Sequence, residues 1–192
     1  MQKNTWIMFL TFGILFSCSK KMYVKEDYHL FNKDFQLQPN QLLRTDGVYV
    51  LQTIWNNKTG ERKANEHHFY KFYNKGQSNL TVDLNHEIKS DASYLNSIKE
   101  QIASTKQGEF KTHFEGYYNL KNNRIVIERI SVPRKISTYN YGYLEEGKLI
   151  IVKETIEGSG KIEDNYFTDY YKATYVFKPL DNSILENLQP GW

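Results

Sequence analysis

Cysteine occurs once in this 192-residue chain and proline four times. A single thiol excludes any intramolecular disulfide, so the fold has to be held by its own core. So little proline excludes a proline-rich linker and leaves extended segments free to donate every backbone N–H. An excess of one charge is missing too. The 25 Lys and Arg against 22 Asp and Glu leave a net charge of +3, too small to mark a surface for nucleic acid or another polyanion. No P-loop, Gly-x-Gly-x-x-Gly, Gly-x-Ser-x-Gly or His-Glu-x-x-His occurs, so the common signatures of nucleotide binding, serine hydrolysis and zinc proteolysis are absent. No cofactor or metal is expected. Aromatic residues are abundant: 15 Tyr and 11 Phe within a 40% hydrophobic chain. Tyrosine-rich, β-branched sequence builds sheets, and the length suits one domain.

The longest uncharged apolar run, Trp6 to Phe16, follows Lys3. As a helix its roughly 11 residues would rise about 17 Å, short of the roughly 30 Å of a hydrocarbon layer. Residues 1–17 therefore read as an export signal. Leu15-Phe16-Ser17-Cys18 resembles the lipobox of bacterial lipoproteins, which implies that Cys18 is acylated and becomes the first mature residue. Acylation would also account for the solitary cysteine. Residues 18–42 read as anchor and tether, giving a membrane attachment through lipid. By the same resemblance Ser19, where an aspartate would signal inner-membrane retention, points to the outer membrane. Lys20 and Lys21, in place of an acidic cluster, favour its periplasmic face over the cell surface.

From Gly47 onward apolar alternation and turn signals recur at short intervals, as in an antiparallel meander. Eight strands are predicted: 47–55, 67–74, 78–85, 109–120, 124–132, 135–145, 148–157 and 166–178. Asn56 to Gly60 is expected as a polar loop, and Gly76 and Gly147 as turn residues. Between the third and fourth strands Leu95, Ile98 and Ile102 share a helical face, with Ser90 or Asp91 as cap, predicting one helix over 90–106 at the end or wall of the sheet. In the fourth strand Phe110, Phe114, Tyr118 and Leu120 alternate with Lys111, His113, Glu115 and Asn119, so one face is expected to be buried. A short helical turn is expected within 183–188. Closing the meander into a barrel would hide its edges, so residues 43–192 are expected to form an all-β, eight-stranded barrel domain.

Leu43-Arg44-Thr45-Asp46-Gly47-Val48-Tyr49, Phe69-Tyr70-Lys71-Phe72-Tyr73 before Asn74-Lys75-Gly76, Gly116-Tyr117-Tyr118 and Tyr141-Gly142-Tyr143, together with the lipobox, resemble the lipocalin-like lipoproteins of Bacteroidetes. Tyr49 stands where lipocalins carry Trp in Gly-x-Trp. The resemblance implies a calycin-type barrel for a small apolar or amphipathic ligand, and Phe72, Phe114, Tyr118 and Tyr141 are the ligand-binding candidates. Tyr139, Tyr141 and Tyr143 alternate onto one face, as either cavity lining or an exterior ladder. The alternative function is an envelope protein-binding or inhibitor-like module, with a solid barrel acting through loops 56–66 and 158–165. A hydrolase without a signature motif is the third reading. Its possible groups are His86 with Glu87 and His113 with Glu115, both pairs expected at the solvated surface, and Glu154 with Glu157 or Asp164 with Asp169, pairs that any chain with 22 acids offers by chance. His67 and His68, adjacent on a strand, are expected to face opposite ways and not to share a metal.

Overall fold

The computed structural model describes residues 24–106, 114–131, 136–185 and 187–192. The export signal, Cys18, Phe110, Lys111 and His113 lie outside the described residues. Within them the strands are β1 (Gly47–Asn56), β2 (Gly60–Lys63), β3 (His68–Phe72), β4 (Gln77–Val82), β5 (Glu115–Lys121), β6 (Arg124–Ser131), β7 (Ile136–Glu145), β8 (Lys148–Thr155) and β9 (Tyr171–Pro179). Two helices join them, α1 (Asp91–Lys106) and the single turn α2 (Asn182–Leu185).

Every neighbouring pair is antiparallel, and β9 returns to β1 to close the sheet. β9 occupies one edge of β1 from Gly47 to Asn56, so β2 and β3 share the other. β2 pairs with Thr53–Asn56 and β3 with Tyr49–Val50. The chain is thus an eight-stranded closed barrel whose second strand is interrupted at residues 64–67, leaving β2 as an added ninth piece. β2 replaces part of the expected loop. Its Gly-Glu-Arg-Lys residues are all exposed, so it carries no apolar signal and is recognisable only by its ladder to β1. The last strand starts at Tyr171 rather than Tyr166, because Asp164–Tyr166 form a 3-10 turn that lays Tyr166 on Tyr141, centroids 4.6 Å apart.

Alternation along each strand separates two buried layers. Tyr49, Leu51, Tyr70, Phe72, Leu80, Tyr118, Ile125, Ile127, Leu144 and Leu149 point inward and form one cluster, each fully buried side chain contributing about 1.5–3 kcal/mol. The outer wall is covered in three places. α1 lies on the wall formed by β1 and β3, with Leu95, Ile98 and Ile102 against Val48, Val50 and Phe69. Ser90 caps it, accepting the Ser93 N–H at 3.2 Å. The segment before β1 runs along β5 and β6, where Tyr28, Leu30 and Phe31 cover Tyr117 and Ile130. Loop 156–170, together with Leu30, covers β6 and β7 through Ile162, Tyr166 and Phe167.

Two expectations change as a result. Residues 28–42, read as tether, belong to the folded body: Tyr28 is buried, and Phe35 and Leu37 pack on the barrel core. The second face of β5 is also covered, with Glu115 and Tyr117 buried like Tyr118, because the arm lies where alternation alone places solvent.

Candidate functional site

The two barrel ends differ. At one, the hairpins 73–77, 121–124 and 145–148 are closed by Phe35, Leu37 and Leu43, with Phe35 edge-on to Tyr118 at 5.3 Å. At the other lies a half-open cavity of about 600 Å³, inside the range of small-ligand sites. Tyr70, Leu80, Val82, Phe114, Ile151 and Tyr175 form its apolar wall, and His68, Arg129, Asn140, Lys153, Glu154 and Tyr171 its polar side.

Strand geometry explains that polar side. Ile125 and Ile127 point inward on β6, so Arg129, two residues on, points inward as well. Asn140 sits two residues from Gly142 and four from the inward Leu144 on β7. Glu154 faces in through an irregularity: the β7–β8 register shifts between Tyr141 and Gly142, so Val152 is an extra residue and Asn140 stands opposite Glu154. Gly142 lies at this shift, and a Cβ there would meet the Ile150 carbonyl oxygen at 2.4 Å.

Arg129 Nη2 donates to Asn140 Oδ1 at 2.8 Å and to Glu154 Oε2 at 3.3 Å, and Asn140 Nδ2 donates to the same Glu154 oxygen at 3.0 Å. Arg129 Nε is buried without an acceptor, while 60% of the Glu154 side chain remains exposed. The guanidinium carbon lies 5.8 Å from the centre of the Phe114 ring. Burial lowers the His68 pKa and raises those of Tyr70 and Tyr175, so at neutral pH these three rings are uncharged. An inward guanidinium, a largely exposed carboxylate and neutral hydrogen-bonding rings thus border an apolar hollow, with Lys153 at its edge donating outward to the Asn165 carbonyl at 3.4 Å.

The four candidate residues do not share this cavity. Phe114 lines it. Phe72 and Tyr118 lie in the packed core, rings edge-on at 5.3 Å. Tyr118 donates to the Tyr73 carbonyl at 2.8 Å. Tyr141 lies outside the barrel with Val126, Tyr139 and Tyr166, since β7 turns Asn140 and Leu144 inward and its odd-numbered residues outward. The tyrosines of β7 are therefore exterior, Tyr139 and Tyr141 buried under the loop and the arm and Tyr143 half-buried against Phe167. Arg129 is the cavity-lining residue that sequence reasoning missed, although the parity of Ile125 and Ile127 points to it; Glu154 enters the sequence reading only as half of an acid pair.

Other polar clusters are structural in geometry. Glu128, fully buried, lies 3.0 Å from His29 Nδ1, accepts the Leu30 N–H at 2.8 Å and has the Tyr139 hydroxyl at 3.3 Å. Burial pushes the Tyr139 pKa up to about 12, so it stays a donor and the group pins the arm to the wall. His67 bridges Asp83 at 2.8 Å and the Tyr94 hydroxyl at 3.0 Å. Burial alone would raise the Asp83 pKa, but the Ile88 N–H, His67 and the Glu87 N–H hold it below the ordinary value. Asp164 pairs with Arg124 and Asp169 with Lys172, both at the surface. Among the described residues no group of three or more His, Cys, Asp or Glu is placed to hold a metal ion. The loops 56–66 and 158–165 are built into the fold, the first as the β1–β2 hairpin and the second through Gly160 against Leu30 and Tyr139. No protein-family model, curated protein or solved structure matches the chain.

Proposed function

We propose that this chain is a lipid-anchored envelope lipoprotein whose lipocalin-like barrel binds a small amphipathic molecule at its open end. The observation that carries this is the 600 Å³ half-open cavity, apolar along most of its wall and bordered on one side by Arg129, Asn140 and Glu154. A barrel of eight strands has room for one small ligand or for side chains. Here side chains fill the end closed by the arm and leave the other end hollow. The anchor rests on the lipobox at Cys18. Placement at the outer membrane, facing the periplasm, rests on Ser19, Lys20 and Lys21.

Native mass spectrometry of the full chain purified from its own host tests both parts. The expected spectrum carries the added mass of acyl groups, lost in Cys18→Ala, and a second, dissociable mass from one retained small molecule. A chain of bare polypeptide mass would overturn the anchor. Repeated isolation without any adduct, and no binding of apolar probes, would overturn the ligand.

A further inference from the structure

Resting on that binding reading, we infer that the ligand is a carboxylic acid with an apolar chain, its carboxylate taken by Arg129 and its chain laid along Leu80, Val82, Phe114 and Ile151. The guanidinium edge formed by Nε and Nη2 is the part of arginine that matches a carboxylate with two parallel hydrogen bonds. In this structure that edge is half used. Nη2 reaches Asn140 at 2.8 Å, whereas Nε, buried, has no acceptor. A buried donor left unmade costs free energy, and an incoming oxygen on this edge would recover it.

Glu154 is the competitor. Its contact with Nη2 is long, at 3.3 Å, and its side chain is 60% exposed, so it can turn to water when another anion arrives. Its carboxylate is therefore a stand-in for the ligand's, present at the same cation but poorly placed. Asn140 keeps Arg129 aimed through the exchange, since its Oδ1 holds Nη2 independently. Lys153, the other cation of the lining, turns its Nζ to the outer wall, towards the Asn165 carbonyl at 3.4 Å and the Tyr166 ring at 5.0 Å, and His68 is neutral, so Arg129 is the cation aimed into the hollow and the site suits one negative charge rather than a phosphate-like group bearing two.

Calorimetric titration of the full chain in detergent micelles, with micelle-only heats subtracted, tests this with octanoate and 1-octanol, which share a chain and differ in head charge. Octanoate is expected to bind at least about tenfold more tightly, the scale of one charge-assisted pair at about 1.4 kcal/mol per tenfold. Arg129→Gln should bring the octanoate-to-octanol affinity ratio down to about one. Glu154→Gln, which removes the competing carboxylate, should raise the ratio of octanoate to octanol affinity severalfold. Equal binding of the two probes, or a preference that survives Arg129→Gln, would overturn the carboxylate assignment and leave the binding reading standing. Binding of neither probe would overturn both.

Discussion

Two single residues carry more than their size suggests. Gly142 stands at the register shift between β7 and β8, where a Cβ would meet the Ile150 carbonyl oxygen at 2.4 Å. Gly142→Ala should cost about 1–3 kcal/mol, typical of overpacking, and disturb the placing of Asn140 and Glu154; urea unfolding reads the first. Lys71 is 2% exposed, with Nζ donating to the Thr45 carbonyl. Burial lowers its pKa to about 8, against a weaker opposite pull from Asp46. Between pH 8 and the value near 10.4 of an unfolded lysine, the unfolded chain holds the proton that the folded chain has released. Stability should therefore rise with pH across that window. Lys71→Met should flatten this rise in urea midpoints taken from about pH 7.5 to 9, and the difference from the wild type at each pH removes the opposite effect of tyrosines, which in the unfolded chain begin to ionise as the pH approaches 10. An unchanged slope would place the lysine charge elsewhere.

Elements differ in how plainly they announce themselves. α1 and the strands of the barrel were legible because a core face repeats at 3.6 or 2 residues. β2 was not, since a rim strand exposed on both faces pairs through its backbone alone. Arg129 could be placed by counting from Ile127, whereas the inward turn of Glu154 depends on one extra residue in β8 that leaves no mark in the sequence. The same limit hid the arm: alternation in β5 reads Glu115 and Tyr117 as solvated, because the segment that covers them is 87 residues away at the Tyr28–Glu115 contact. The energetic test is Tyr117→Ala. Tyr117 packs edge-on to both Tyr28 and Phe31, at 5.0 and 5.2 Å, so its loss should cost about 3–5 kcal/mol. Asn119→Ala, exposed on the same strand, should change stability by less than about 0.5 kcal/mol. A chain beginning at Asn40 should expose Tyr117, Ile130 and Tyr118, unfold at lower urea than one beginning at Val24, and self-associate in sedimentation runs; equal midpoints would show that the arm is dispensable.

At the scale of the molecule the barrel is a cup. Its closed end is made by Phe35, Leu37 and Leu43, its wall is wrapped by α1, the arm and loop 156–170, and the hollow end gathers the polar residues. The arm crosses between the two ends. It starts beside the open rim, where Asp27 and His29 border Ile136 and Ile156, and reaches the closed end at the Leu37 to Asn74 hydrogen bond of 2.9 Å. Cys18 precedes Val24 by six positions, a contour of about 20 Å at 3.3–3.6 Å per residue. An acylated Cys18 would thus moor the cup by its lip and not by its base. The mouth would hang within a few nanometres of the bilayer, positioned to exchange an amphipath with the leaflet over a short path and shielded from bulk water on that side. A nitroxide lipid quencher in vesicles should then dim a fluorophore attached at position 170, on the lip, more than one attached at position 146, on the base. The reverse order would mean that the cup hangs mouth outward.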